Sequence, residues 1–343
     1  MRIRRYTLAG ALAFLSVVFV AGPALAGEKG PVLSRPGNHQ KPLKIDFGVY
    51  LMDIDEINGQ EQNFKINAVV LLRWKDSRLA HPGPGKRIVA LDSIWHPEIL
   101  LTNRQARLRM PLPRIAMIEP DGTVTFRQQY VGPLSQRLRL RDFPLDTQEF
   151  SIHFALTGID PRDVELTPGA FPGGLVGGGM AKVLSLPDWG IVSYRAEVKP
   201  YRLSALLQAP GFAFEFTARR HSIYFIWQAA MPLILIVMMS WVPFWVDPRR
   251  AEMQFAIASS TVLTLIAFRF TLAAMLPPLP YLTRLDMLTI GGTILVFMAF
   301  LQVVITSLLA QGERLALARR IDKLCRIIFP LIFIGLIILA RWI

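Results

Sequence analysis

Between Glu252 and Tyr281 the chain is apolar enough to enter a bilayer, yet small and hydroxyl side chains return along it at helical spacing. Ala256, Ser260, Leu263, Ala267, Phe270 and Ala274 fall three or four residues apart, so on a helix they share one stripe. A helix wholly surrounded by lipid has no use for such a stripe. Two kinds of chemistry suit it: lining a narrow, partly wet path for ions, or packing small residues closely against another helix. Arg269 lies in the outer third of the same segment, where a guanidinium needs water or a partner. It either reaches outward to solvent or pairs with Asp286 at the start of the next apolar segment.

Catalytic patterns are missing. The five histidines (His39, His81, His96, His153 and His221) are scattered, with no H-E-x-x-H spacing, and no G-x-S-x-G elbow occurs. The glycine-rich stretch 168–187 lacks the Lys-Ser/Thr of a phosphate-binding loop and reads as a long surface loop. An enzyme is therefore not expected, nor is a cofactor or a metal. The formal net charge is +13, but no basic run is interleaved with stacking aromatics, which argues against nucleic acid. Part of that charge suits a membrane surface. Cys325 is the single cysteine, so no disulfide can form within the chain. Four apolar segments without internal symmetry fit a secondary transporter poorly.

Three kinds of element must position these residues. Arg2, Arg4 and Arg5 precede an apolar run over 8–20, and Ala24-Leu25-Ala26 supplies small residues for cleavage, so 1–26 reads as a secretory signal. Residues 27–221 read as one exported all-β domain of immunoglobulin-like sandwich type, with alternating segments at 45–51, 64–74, 123–130, 149–156, 191–198 and 212–218. Residues 222–343 carry four apolar helices at about 223–245, 252–276, 285–309 and 324–343, each near the ~20 residues that a bilayer requires. Arg249 and Arg250 follow the first of them. Arg314, Arg319, Arg320, Lys323 and Arg326 lie in the linker before the last. The positive-inside bias puts both groups in the cytoplasm, and hence the β-domain and C-terminus outside a bacterial inner membrane.

Specific words along this frame carry a resemblance. Arg141-Asp142-Phe143-Pro144-Leu145-Asp146-Thr147-Gln148 resembles the Phe-Pro-x-Asp-x-Gln loop of the pentameric ligand-gated ion channels, the Cys-loop receptor superfamily. Gln136 and Phe150 stand where animal members carry bracketing cysteines, as in the cysteine-free bacterial branch. Trp74-Lys75-Asp76-Ser77-Arg78-Leu79 is similar to that family's Trp-x-Asp-x-Arg-Leu segment, and Trp95-His96-Pro97-Glu98 to its Trp-x-Pro-Asp/Glu segment. Pro232, and Leu276-Pro277 through Pro280-Tyr281, match in order. The resemblance spans 43–343 and is greatest to the proton-gated bacterial members.

It implies a homopentamer with the second membrane helix around a central pore. Glu252 would then form a carboxylate ring at the cytoplasmic mouth, and Ala256 and Ser260 would line the lower pore. Leu263 would be the mid-pore apolar ring, extended outward by Ala267 and Phe270. Such a ring gates by dewetting, and five carboxylates favour cations. The expected function is thus a ligand- or pH-gated channel for monovalent cations. Arg249 and Arg250 leave an anion-selective channel open, and the apolar zone leaves a non-conducting sensor open.

For coupling, the family implies a charge cluster of Asp146, Arg220 and an acid among Asp55, Glu56 and Glu61, with Pro144, Pro280 and Tyr281 receiving the motion. Of the family's agonist positions, Thr102 and Thr157 have lost their aromatics, and only Tyr201 keeps one, so an amine box is not expected. Leu265 and Gln62 replace two titratable groups of the proton-gated members. Arg104, Arg107 and Arg127 are candidates for a carboxylate ligand. Protons or an unidentified small agonist, together with membrane lipids, complete the expected partners.

Overall fold

The computed structural model describes residues 32–37, 40–170, 174, 176–202, 208–273 and 280–342. The secretory signal at 1–26, and Ala274, Leu276 and Pro277, lie outside them.

Alternation builds the N-terminal half. In β2 (Asn63–Lys75), Phe64, Ile66, Ala68, Val70, Leu72 and Trp74 are buried while the residues between them are more exposed. β2 lies between β1 (Leu43–Asn58) and β6 (Thr123–Ser135), both antiparallel to it. β5 (Ile115–Ile118) and β3 (Arg87–Ala90) extend the sheet beyond β6. β8 (Val164–Pro168) and β9 (Gly178–Met180) run parallel to β1 at the other edge. The second sheet has the order β10 (Trp189–Val198), β13 (Gly211–Arg220), β7 (Thr147–Thr157) and β4 (Glu98–Leu101). β11 (Tyr201–Arg202) and β12 (Gln208–Ala209) form a separate small hairpin.

Phenylalanines join the two sheets into a sandwich. Phe47 on β1 stacks on Phe212 of β13 at 4.7 Å, and Phe64 on β2 meets Phe150 of β7 edge-on at 5.1 Å. All four are essentially inaccessible to solvent, and burying each contributes roughly 1.5–3 kcal/mol. All six expected strand segments fall inside β1, β2, β6, β7, β10 and β13.

One expectation fails here. The stretch 168–187 is not simply a surface loop, since Gly178–Met180 pairs with β1 and Gly178 and Gly179 are buried. A Cβ at Gly178 would collide with the Val49 carbonyl, so glycine permits this close backbone approach.

Among the described residues, four helices follow. The first, α1 (Ile223–Trp245), contains a π-type turn over Ile226–Ala230 and ends in a 3₁₀ turn. The others are α2 (Ala251–Ala273), α3 (Arg284–Gln311) and α4 (Leu315–Trp342). By length and composition α1, α2 and α3 can each cross a membrane. Leu233, Val237 and Phe244 of α1, Leu265 of α2, Val296 and Val303 of α3, and Phe329 and Phe333 of α4 form the bundle core.

The expected basic linker before the last helix is itself helical. Only Gly312, Glu313 and Arg314 separate α3 from α4. Ala318, Asp322, Phe329 and Phe333 form a buried stripe at helical spacing, whereas Arg319, Arg320 and Lys323 are exposed. Basic residues on the wet face of an amphipathic helix imitate a linker when charge alone is read.

Candidate functional site

The expected pore stripe lies on α2, which presents two different faces. Gln254, Ala258, Thr261, Leu265 and Leu272 are buried against the rest of the bundle. On other sides of the helix Glu252, Ala256, Ser260, Leu263, Ala267 and Phe270 are all exposed. Leu263 is 67% exposed and Phe270 75%, so a single chain leaves two large apolar groups of this stripe uncovered. The Gln254 amide donates to the carbonyls of Pro243 and Val246, both at 3.0 Å, and so ties the start of α2 to the end of α1. Arg319 of α4 reaches the Asp247 carboxylate at 2.7 Å in the same turn. Glu252 therefore stands on a fixed base, with Arg249 and Arg250 exposed just before it.

Arg269 and Asp286 do not pair. The Asp286 carboxylate is committed to the start of α3, where it accepts the Thr283 backbone N–H at 2.9 Å. The Thr283 hydroxyl oxygen in turn accepts the Asp286 N–H at 3.1 Å. This reciprocal box satisfies donors that the helix start would otherwise leave open. Arg269 remains exposed on α2.

The second part of the site is where the sandwich meets the helices. Arg220, the last residue of β13, donates from Nε to Asp146 Oδ1 at 2.8 Å and from Nη2 to Oδ2 at 3.3 Å. Both side chains are at least nine-tenths buried. The guanidinium also lies 4.1 Å from the Trp189 ring centre, 5.0 Å from Phe143 and 5.4 Å from Phe225. A charge out of water needs this kind of compensation, and three π-faces with a forked carboxylate supply it. Gln148 closes the cluster by donating to Asp146 Oδ2 at 2.6 Å. It also exchanges hydrogen bonds with the Arg139 backbone, 3.0 Å at the N–H and 2.8 Å at the carbonyl.

Further contacts connect the Phe143–Pro144 turn, whose peptide bond is cis, to the α2–α3 loop. The Leu140 N–H donates to the Tyr281 hydroxyl at 3.1 Å, and Arg284 meets Asp142 at 2.7 Å. Phe143 packs edge-on against Phe225 of α1 at 5.1 Å. Pro144 is half-exposed, and Pro280 is exposed beside Tyr281. Trp189, Phe225 and Arg284 were not anticipated, since single aromatic or basic residues at segment boundaries carry no pattern of their own. Gln148 and Phe143 were legible as members of the Pro-loop word.

The acid of the first hairpin does not join this cluster. Glu56 pairs with Lys65 across the β1–β2 strands, and that amine lowers its carboxyl below the ordinary range. Glu61 accepts from Asn63, and Asp55 is exposed. Gln62 takes the structural role at this place instead. Its side-chain oxygen accepts the Leu138 N–H at 2.7 Å, and its carbonyl accepts Gln136 N–H at 2.8 Å.

The agonist candidates divide. Arg104 and Arg107 line a cleft of about 180 Å³ with His96, Glu98, Gln128 and Tyr130. Burial pushes the Tyr130 phenol up to about 12. Arg127, Thr102, Thr157 and Tyr201 do not line it. The Thr102 N–H is bound to the His153 carbonyl at 2.9 Å, Thr157 pairs with Glu98 across β4 and β7, and Tyr201 sits in the small hairpin.

Residues 31–173 match the family described as the neurotransmitter-gated ion-channel ligand binding domain. The chain is also similar to a proton-gated ion channel of Gloeobacter violaceus, with 28% identity over 300 residues that cover 86% of this chain and 81% of the relative. That alignment extends well beyond the sandwich, so the helices share in the likeness. A receptor sandwich, apolar helices long enough to span, and a Pro-loop that meets the α2–α3 loop thus agree with both comparisons, and together they support a prokaryotic pentameric ligand-gated ion channel.

Proposed function

We infer that this protein is a homopentameric cation channel opened by protons or a small ligand, with α2 lining the pore and four spans per subunit. The carrying observation is the uncovered stripe of α2, from Glu252 through Leu263 to Phe270, on the side away from its own bundle. Five copies around an axis would turn the stripe into stacked rings. Glu252 would concentrate cations at the inner mouth, Ser260 would keep the lower pore wet, and Leu263 would close it by dewetting. Ala267 and Phe270 would prolong the dry zone outward.

Opening would pass through the Asp146–Arg220 cluster and the Leu140–Tyr281 contact. Both join the sandwich to the helices through groups that have discrete partners. The likeness to a proton-gated relative supports protons as the first agonist to try. The cleft holding Arg104 and Arg107 suits a carboxylate as the second.

The test is current from the purified protein in planar bilayers as the outer pH is stepped from 8 to 4. Current that rises or falls reversibly with pH supports proton gating. Silence at every pH, persisting in a Leu263→Ser variant, would remove the channel reading and leave a non-conducting sensor.

A further inference from the structure

A cleft of about 720 Å³ opens beside the Pro-loop, apart from the pore stripe and the Arg104 cleft and bordering the Arg220 cluster through Gln148. Arg137, Arg139 and Arg141 line it, together with Thr147, Glu149, Thr217 and Tyr281. The arginines occupy alternate positions of the segment leading into the Pro-loop. Between them Leu138 and Leu140 are buried, which turns all three guanidinium groups outward together. Glu149 is the one carboxylate in the lining. The two acids of the Pro-loop are committed, Asp142 to Arg284 and Asp146 to Arg220. No described residue pairs with the guanidinium of Arg137, Arg139 or Arg141.

Height along the molecule decides what such a cleft meets. Tyr281 belongs to the loop between two membrane-crossing helices and forms part of the lining, so the cleft opens at the membrane surface. Leu145, at the tip of the Pro-loop, is 50% exposed, and Ile223 and Tyr224 at the start of α1 are 69% and 56% exposed. This combination of apolar groups, a tyrosine and unpaired arginines suits the boundary between acyl chains and headgroups. We propose that the Arg137–Arg139–Arg141 ladder binds the phosphate of an anionic phospholipid in the outer leaflet. The headgroup would lie between the Pro-loop and the α2–α3 loop, with acyl chains descending beside α1.

Such a lipid would touch both sides of the Leu140–Tyr281 contact, so its occupancy would bias the coupling described above. The inference rests on the membrane placement of the helices and not on conduction. A binding measurement can therefore fail while current persists, and the reverse.

The test uses the full-length protein in nanodiscs of phosphatidylcholine with increasing phosphatidylglycerol, reading the immobilised fraction of spin-labelled phosphatidylglycerol against spin-labelled phosphatidylcholine. The wild type should retain phosphatidylglycerol selectively. Arg137→Gln, Arg139→Gln and Arg141→Gln combined should weaken that selectivity by about a hundredfold, from roughly fivefold per surface arginine. The corresponding three Arg→Lys substitutions should restore most of it, because charge is retained. Arg249→Gln with Arg250→Gln, on the opposite face of the membrane, should leave the outer-leaflet preference intact. Unchanged selectivity in the triple glutamine variant overturns the proposal. So does displacement of the lipid by millimolar soluble glycerol phosphate, which would make the cleft a site for free anions.

Discussion

Asp146 and Arg220 stand 74 residues apart in the chain, yet they are joined twice: by a forked ion pair and by the Arg220 backbone N–H donating to the Asp146 carbonyl at 3.1 Å. The pair ties the Pro-loop to the last residue of the strand that enters α1. Motion of β13 therefore reaches the Pro-loop without passing through solvent.

Breaking one side of this pair should be costly. Asp146→Asn leaves a guanidinium buried without its counter-charge, and about 3–5 kcal/mol of stability should be lost. The Asp146→Asn/Arg220→Gln double variant should recover part of that loss, because no unpaired charge remains. Thermal unfolding of the solubilised protein, run as a double-mutant cycle, reads the difference. Additive losses in the double variant would show that the two side chains do not act as a pair.

The Tyr281 hydroxyl accepts the Leu140 N–H, and Tyr281→Phe removes only that acceptor. A single hydrogen bond of this kind contributes ~1 kcal/mol, about a fivefold change in an equilibrium. The activating concentration of agonist should shift by about that factor, or ~0.7 pH units if protons are the agonist, with the fold intact. Full dose–response curves for the two proteins measure this.

Leu263 should govern the closed state. Replacing it with Ser puts a hydroxyl where the pore is expected to dewet, and resting current should appear without agonist. The control is Leu265→Ser, since Leu265 is buried in the bundle and its change should lower stability without creating a leak. Equal leak from both variants would count against Leu263 as the gate.

His153 makes the sandwich sensitive to acid. Burial pushes its imidazole below the ordinary value of 6.5, Lys199 adds to the shift, and Glu215 opposes it. A histidine lowered on folding binds fewer protons in the folded domain than in the unfolded chain. Its contribution is therefore whole at high pH and is lost as pH falls below about 6.5. Melting midpoints followed from pH 8 to pH 5 should drop less in His153→Gln than in the wild type, while the slopes agree above pH 7. Parallel curves across the whole range would exclude His153 as the source.

Legibility in the sequence followed the length of each pattern. β2, with six buried residues in strict alternation, was plain, as was α2, whose stripe recurs over several turns. β3, β4, β5, β8 and β9 hold three to five residues each, too few for a period to show. β9 is also glycine-rich, so its composition mimics a loop although its backbone pairs with β1. Asp146 and Arg220 could be matched because the Pro-loop word identifies one and its position before α1 the other. Trp189 and Phe225 join them only through folding, as each lies on a different element. Of the two readings left open for Arg269, pairing with Asp286 failed for a local reason: a Thr-x-x-Asp capping box satisfies Asp286 within its own helix.

Glu252, exposed at the start of the α2 stripe, should make the protein conduct cations. Reversal potential in a KCl gradient, compared between wild type and Glu252→Gln, tests it most directly. The wild type should reverse near the potassium potential, and the variant should shift toward zero. A wild-type reversal near the chloride potential, or a variant identical to wild type, would contradict it.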